Sequence, residues 1–144
     1  MARINSVRIV EEFWAAVWNA RDPGAVDRFV VDDFILTTGG VDVVSRERFK
    51  AWVKQFLEKI NDFGFEVIET FQNEDGSRVA SRWRVTGRNN GLMGTEPNGA
   101  PFEMCGTAIW EVGADGLLRH NWVERNAFEV YGAISRSDGR HNVF

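Results

Sequence analysis

Arg78-Val79-Ala80-Ser81-Arg82-Trp83-Arg84-Val85-Thr86 and Phe102-Glu103-Met104-Cys105-Gly106-Thr107-Ala108-Ile109-Trp110-Glu111-Val112 are the stretches whose reading decides the fold. Both are rich in β-branched and aromatic residues and both are bounded by turn formers, so each is expected to be a long strand. The first follows Phe65 to Phe71 across Asn73-Glu74-Asp75-Gly76, which has the composition of a hairpin loop. The second carries little charge between Met104 and Trp110, so cover on both faces is expected, with Cys105 a packed thiol. Ala114-Asp115-Gly116 then turns the chain into a last strand, Leu117 to Glu124 or slightly beyond, and a short helix is expected around Ala127 to Ile134.

Upstream of the strands the period changes to that of helices. Val7, Val10, Phe13, Trp14, Val17 and Trp18 recur on one helical face behind a cap at Asn5 or Ser6. Asp22-Pro23 starts a second, short helix toward Val30, since Asp caps well and Pro suits the first helical position. Phe34 to Thr38 reads as a strand ended by Gly39-Gly40. Ser45 caps a third helix whose stripe is Phe49, Trp52, Val53, Phe56, Leu57 and Ile60. Helices first and then a run of antiparallel strands indicate an α+β layer fold rather than a doubly wound one. The expectation is a single domain over residues 1–144, with a core of about 6–134 and a loose tail from Ser135 to Phe144.

Composition narrows the function classes. The chain has 144 residues and a formal net charge of −4, so no basic footprint points to nucleic acid or anionic lipid. One cysteine excludes an internal disulfide, and with only two histidines a structural zinc site is not expected. No apolar stretch of signal-peptide length lies in Met1 to Val10 and no segment is long enough to span a membrane, which makes cytoplasmic the default expectation. Six Trp and eleven Phe against one Tyr supply bulk either for packing or for lining a ligand cavity.

Arg82-Trp83-Arg84-Val85-Thr86-Gly87 is followed by Gly91, Gly94, Pro97, Asn98-Gly99 and then Gly106-Thr107-Ala108-Ile109-Trp110. This arrangement, with the order of elements over about residues 6 to 134, resembles the nuclear transport factor 2-like superfamily and within it the SnoaL-like polyketide cyclases. The resemblance implies a cone-shaped barrel: a strongly curved antiparallel sheet with N-terminal helices packed on its concave face and a cavity for a small hydrophobic molecule. It also implies a homodimer through the outer sheet face. Members of this superfamily include isomerases, cyclases, hydrolases and non-catalytic binding modules, so fold does not decide function.

The richest polar segment is Arg119-His120-Asn121-Trp122-Val123-Glu124-Arg125-Asn126. In a strand His120, Trp122 and Glu124 share one face, and Asn121, Val123 and Arg125 share the other, unless a bulge intervenes. His120 and Glu124 would lie roughly 13 Å apart, too far for a direct hydrogen bond. SnoaL-like cyclases use an Asp in this segment as acid/base; alignment on Trp122 puts Val123 there, and alignment on Glu124 puts Asn121 there, so that Asp does not carry over.

Three readings follow. A cofactor- and metal-free enzyme would use His120 or Glu124 as acid/base, with Asn121 and Asn126 donating to an oxyanion and Trp14, Trp18, Trp52, Trp83 and Trp122 as apolar walls. A binding module would hold such a molecule unchanged. A structural dimerisation domain would fill the cavity with its own side chains. Arg82 and Arg84 share a strand face and are expected in solvent or at an interface, and the glycine-rich stretch from Gly87 to Pro101 is either a rim over the cavity or an ordinary hairpin loop.

Overall fold

Local chemistry starts the chain as the sequence leads one to expect. The computed structural model describes residues 4–135. Asn5 accepts a hydrogen bond from the Arg8 amide and opens α1 (Ser6–Phe13), which runs on as a π-helical turn over Trp14–Asn19. Asp22 accepts from the Gly24 amide, and Pro23 begins a 3₁₀ turn that ends at Arg28. Ser45 accepts from the Arg48 amide to cap α2 (Arg46–Glu58), whose Phe49, Val53 and Phe56 are buried.

The strands extend further than their sequence signals. They are β1 (Val30–Thr38), β2 (Val41–Val44), β3 (Ile60–Gln72), β4 (Arg78–Asn89), β5 (Pro101–Val112) and β6 (Leu118–Arg125), and α3 (Ala127–Ser135) follows. β2 is an addition to the expected set. Gly39 and Gly40 do not simply end β1; at φ 59° and 76° they form the two-residue turn that returns the chain antiparallel along it. The strand expected from Phe65 to Phe71 begins earlier, at Ile60, so that Asn61-Asp62 lies inside β3. The ladder with β4 shifts between Asn61 and Gly64 and again between Val67 and Glu69, and Asp62 takes the left-handed φ of 54° there.

The α+β cone expected from the sequence is present as an open sheet of order β2-β1-β6-β5-β4-β3 with the helices on one side. From β6 through β3 every pairing is antiparallel, whereas β1 joins β6 in parallel. Trp110 stands at the centre of the space between sheet and helices, fully buried, with Phe13 at 4.8 Å, Trp14 at 5.5 Å and Phe34 at 6.3 Å between ring centroids. Each such fully buried ring is worth roughly 1.5–3 kcal/mol over its exposed state, which is why this cluster ties α1 to the sheet.

β5 corrects two sequence expectations. Its alternation turns Phe102, Met104, Ala108 and Trp110 inward and leaves Cys105, Thr107 and Ile109 exposed, so the outer face is uncovered in the single chain and Cys105 is an exposed free thiol. On the same outer face Arg84 pairs with Glu66 and Glu103, and Arg82 with Glu69. Ser135 closes α3; the remainder of the expected tail lies outside the described residues.

Candidate functional site

One irregularity in β6 decides which polar groups face the interior. Leu118 is fully buried opposite Val112, while His120 pairs with Glu111, so Arg119 is an extra residue with no partner on β5. Such a bulge moves every later side chain to the opposite face from the one that alternation from Leu118 gives. Arg119 is held there by Asp115, whose Oδ2 lies 2.9 Å from its Nη2 across the preceding turn.

Asn121, Val123 and Arg125 therefore point inward, and they wall a chamber between sheet and helices. Trp14 and Trp18 come from the N-terminal helix, Phe49, Trp52 and Phe56 from α2, Leu36 from β1, Phe65 from β3, and Trp83 and Val85 from β4. Four of the five tryptophans singled out in the sequence, Trp14, Trp18, Trp52 and Trp83, thus share this chamber with Asn121. The rings fix one another: Trp18 meets Phe56 edge-on at 5.6 Å, Trp52 stacks on Phe56 at 5.3 Å, and Trp14 tilts against Phe65 at 4.9 Å. Trp14 also donates its Nε1–H to Ser81 Oγ at 2.9 Å, in the buried interior. Trp83 lies flat across β5, an approach that Gly106 permits: a Cβ there would stand 2.7 Å from Trp83 Cε2 and 2.6 Å from the Glu124 carbonyl oxygen.

The chamber has a volume of about 40 Å³ and adjoins a hollow of about 150 Å³ at the surface, lined by Gln55, Lys59, Leu92 and Met93. Trp52, Phe56 and Arg125 belong to both and form the partition between them. The glycine-rich stretch supplies the Leu92 and Met93 side of this mouth. It is ordered by Asn89, whose Nδ2 donates to Thr95 Oγ1, the Glu96 carbonyl and Asn98 Oδ1 while its Oδ1 accepts from the Gly91 and Leu92 amides.

His120, Trp122 and Glu124, expected from the sequence as acid, base and one wall, stand on the other side of the sheet from the chamber. The physical reason is the bulge at Arg119. His120 stacks on Trp122 with centroids 3.8 Å apart, and the Arg78 guanidinium lies 5.8 Å from the Trp122 ring. Thr37 Oγ1 lies 2.8 Å from His120 Nε2 and 2.6 Å from Asp42 Oδ1. The one hydroxyl proton goes to the carboxylate, which only accepts, so His120 Nε2 carries a proton and donates to Thr37. Burial holds the imidazole pKa below its ordinary value, against the upward pull of Asp42 and Glu111. Glu124 is exposed. Asn126 serves the backbone: its Oδ1 accepts from the Cys105 amide at 3.0 Å, and its own amide donates to the Cys105 carbonyl.

Arg125 is the residue that sequence reasoning passed over, although its place on the Asn121 face was legible. Its guanidinium lies 6.0 Å from the Trp52 ring centre and 5.8 Å from that of Phe56. Burial pulls its pKa down from the usual value. Among the described residues, the chamber wall contains no carboxylate, imidazole or thiol, and no group of three or more His, Cys, Asp or Glu gathers as a metal would need.

A family model for the SnoaL-like domain matches residues 10–121. No curated protein matches the chain in sequence. Among solved structures, a protein from Jannaschia sp. CCS1 assigned as a SnoaL-like polyketide cyclase superposes with a TM-score of 0.81 at 19% identity, over 94% of this chain and 97% of its own. One from Pseudomonas putida KT2440 assigned as a polyketide cyclase gives 0.74 at 22% identity, over 85% and 92%. A protein with a ketosteroid isomerase-like fold from Catenulispora acidiphila DSM 44928, solved with trimethylamine, gives 0.69 at 16% identity, over 93% and 94%. At these identities the likeness establishes the fold.

Proposed function

The chain belongs to the SnoaL-like domain family, and from that membership we propose that it is a small-molecule pocket protein holding a flat, largely apolar ligand in the aromatic chamber. The observation that carries this reading is the make-up of the wall: rings from both helices and the sheet, with Asn121 and Arg125, among the described residues, as its only side chains of strongly polar kind. A pocket that removes an apolar body from water and fixes it by one or two polar contacts is built for binding. Proton abstraction by a side chain would need a base within hydrogen-bond reach of the ligand. The sequence candidates, His120 and Glu124, lie across the sheet from it. We therefore favour binding over acid/base catalysis; Asn121 and Arg125 can polarise a ligand oxygen but neither is a general base at neutral pH.

The chamber is small beside the engineered cavity of about 150 Å³ that accepts benzene in another protein. A ring-sized ligand is accommodated when Trp52, Phe56 and Arg125 swing and merge chamber and mouth into one volume. Binding of naphthalene-2-carboxamide, followed by tryptophan fluorescence, tests this. Val85→Trp or Val123→Trp should abolish binding by filling the chamber, and His120→Ala and Glu124→Gln should leave it unchanged. Retained affinity in both filled variants would place the site elsewhere.

We also propose a homodimer through the outer sheet face, where Ile109 of β5 and Trp122 of β6 are paired neighbours. Sedimentation at micromolar concentration checks it, and a monomer there would remove it. An exposed free thiol suits a compartment that keeps cysteines reduced, such as the cytoplasm. Among the described residues, no helix is long and apolar enough to cross a membrane.

A further inference from the structure

Resting on the chamber as the ligand site, we propose that the ligand is an organic acid whose apolar body fills the chamber and whose anionic oxygens meet Arg125 at the partition. The charge around the opening is the first ground. Among the described residues, the mouth carries two cations, Lys59 and Arg125, and no carboxylate, although the chain as a whole has a net charge of −4. A local excess of positive charge at a hollow in an acidic protein attracts anions and orients them inward.

The second ground is the state of Arg125 itself. The arginines of the outer sheet face are matched: Arg78, Arg82, Arg84 and Arg88 each have a carboxylate within 4 Å. Arg125, among the described residues, has no carboxylate within that distance. Its one hydrogen bond runs from Nη1 to the Met104 sulfur at 3.7 Å, a weak acceptor, and its Nε–H is buried without a partner. Taking a guanidinium out of water without a counterion is costly, and the faces of Trp52 and Phe56 offset only part of that cost. An incoming carboxylate completes the set, since it accepts two parallel N–H bonds from the guanidinium fork.

The third ground is a surplus of donors in the same wall. Trp83 Nε1–H, like Arg125 Nε–H, is a buried donor without a partner, whereas the unpartnered atom of Asn121 is its side-chain oxygen, an acceptor. Two orphan donors against one orphan acceptor fit a ligand whose acceptor oxygens outnumber its donors. A neutral hydrocarbon would leave all of them unsatisfied, and an amine would add repulsion from Arg125 and Lys59.

The test compares two probes of one shape, naphthalene-2-carboxylate and naphthalene-2-carboxamide, by quenching of tryptophan fluorescence. The carboxylate should bind at least about tenfold more tightly, as expected for a charge-assisted hydrogen bond in a water-poor site. Arg125→Met should bring its affinity down to that of the amide, Arg125→Lys should restore part of the difference, and Lys59→Met should lower it less. Should Arg125→Met fail to fold, the wild-type preference decides alone, together with its disappearance as pH falls through the carboxyl pKa of the probe. Equal affinity of the two probes, or a preference that survives in Arg125→Met, overturns the proposal and leaves the pocket standing. Failure of both probes to bind overturns the pocket and the acid together.

Discussion

Gly106→Ala is the substitution that probes the construction of the chamber most sharply. The added methyl carbon would sit 2.6 Å from the Glu124 carbonyl oxygen and 2.7 Å from Trp83 Cε2, with Trp83 Cζ2 closer still. Ordinary carbon contacts begin near about 3.5 Å, so relief needs a shift approaching about 1 Å. Glu124 belongs to β6, hydrogen-bonded to β5 through the Thr107–Glu124 pair, so its carbonyl cannot retreat alone. Trp83 is the more mobile party, but it is 6% exposed and stacked at 6.4 Å on Phe65, and its retreat is into the chamber. Overpacking of this kind costs about 1–3 kcal/mol, and in a domain of this length that lowers Tm by roughly 3–10 °C. Urea melts followed by circular dichroism give the energy, and probe binding reports the chamber: affinity for naphthalene-2-carboxylate should fall in the folded variant. In a double-mutant cycle Trp83→Leu should recover part of the loss but not all, because the Glu124 carbonyl contact remains. A Gly106→Ala protein within about 0.5 kcal/mol of the parent and with unchanged binding would refute the reasoning, because a glycine required by close approach cannot be replaced freely.

Further expectations rest on other parts of the structure. Ser81→Ala removes the acceptor of the Trp14 indole N–H and should cost about 1–3 kcal/mol in a urea melt, with a shift in tryptophan emission. His120→Gln should flatten the stability–pH profile on its acid side: the folded pKa lies below the ordinary 6.5, so the unfolded chain binds the proton more readily. The contribution of His120 is fully present above pH 6.5 and is lost as pH falls from there through the depressed folded pKa, whereas a profile identical to that of the parent would remove this assignment. Asn89→Ala strips five hydrogen bonds from the stretch carrying Leu92 and Met93 and should destabilise by about 2 kcal/mol or more, with new proteolytic cleavage between Asn90 and Ala100.

How much of this was legible in the sequence differs from element to element. The α2 stripe, the Asp22-Pro23 start and the β4 alternation were readable because each is encoded within a few neighbouring residues, whereas the low charge of β5 hid its alternation. β2 was hidden because four residues behind a glycine pair carry too little pattern, and the parallel β1–β6 pairing because nothing local records which distant strand a segment joins. The α+β class and the four chamber tryptophans Trp14, Trp18, Trp52 and Trp83 lay within reach of periodicity and of the family resemblance. The facing of β6 did not. Alternation shows that Asn121 and Arg125 share one side and His120 and Glu124 the other, but it does not record which side lines the interior. The extra residue at Arg119 sets the facing, and its position is fixed by the register with Glu111 and Val112 together with the ion pair to Asp115.

A ligand site on the Asn121–Arg125 side of β6 can be read from the six tryptophan indole N–H signals in a ¹H–¹⁵N correlation spectrum titrated with naphthalene-2-carboxylate. Saturable shifts are expected at Trp52 and Trp83, smaller ones at Trp14 and Trp18, and a stationary Trp122. Shifts centred on Trp122, with Trp52 and Trp83 unmoved, would contradict this placement and return the site to the His120–Glu124 face.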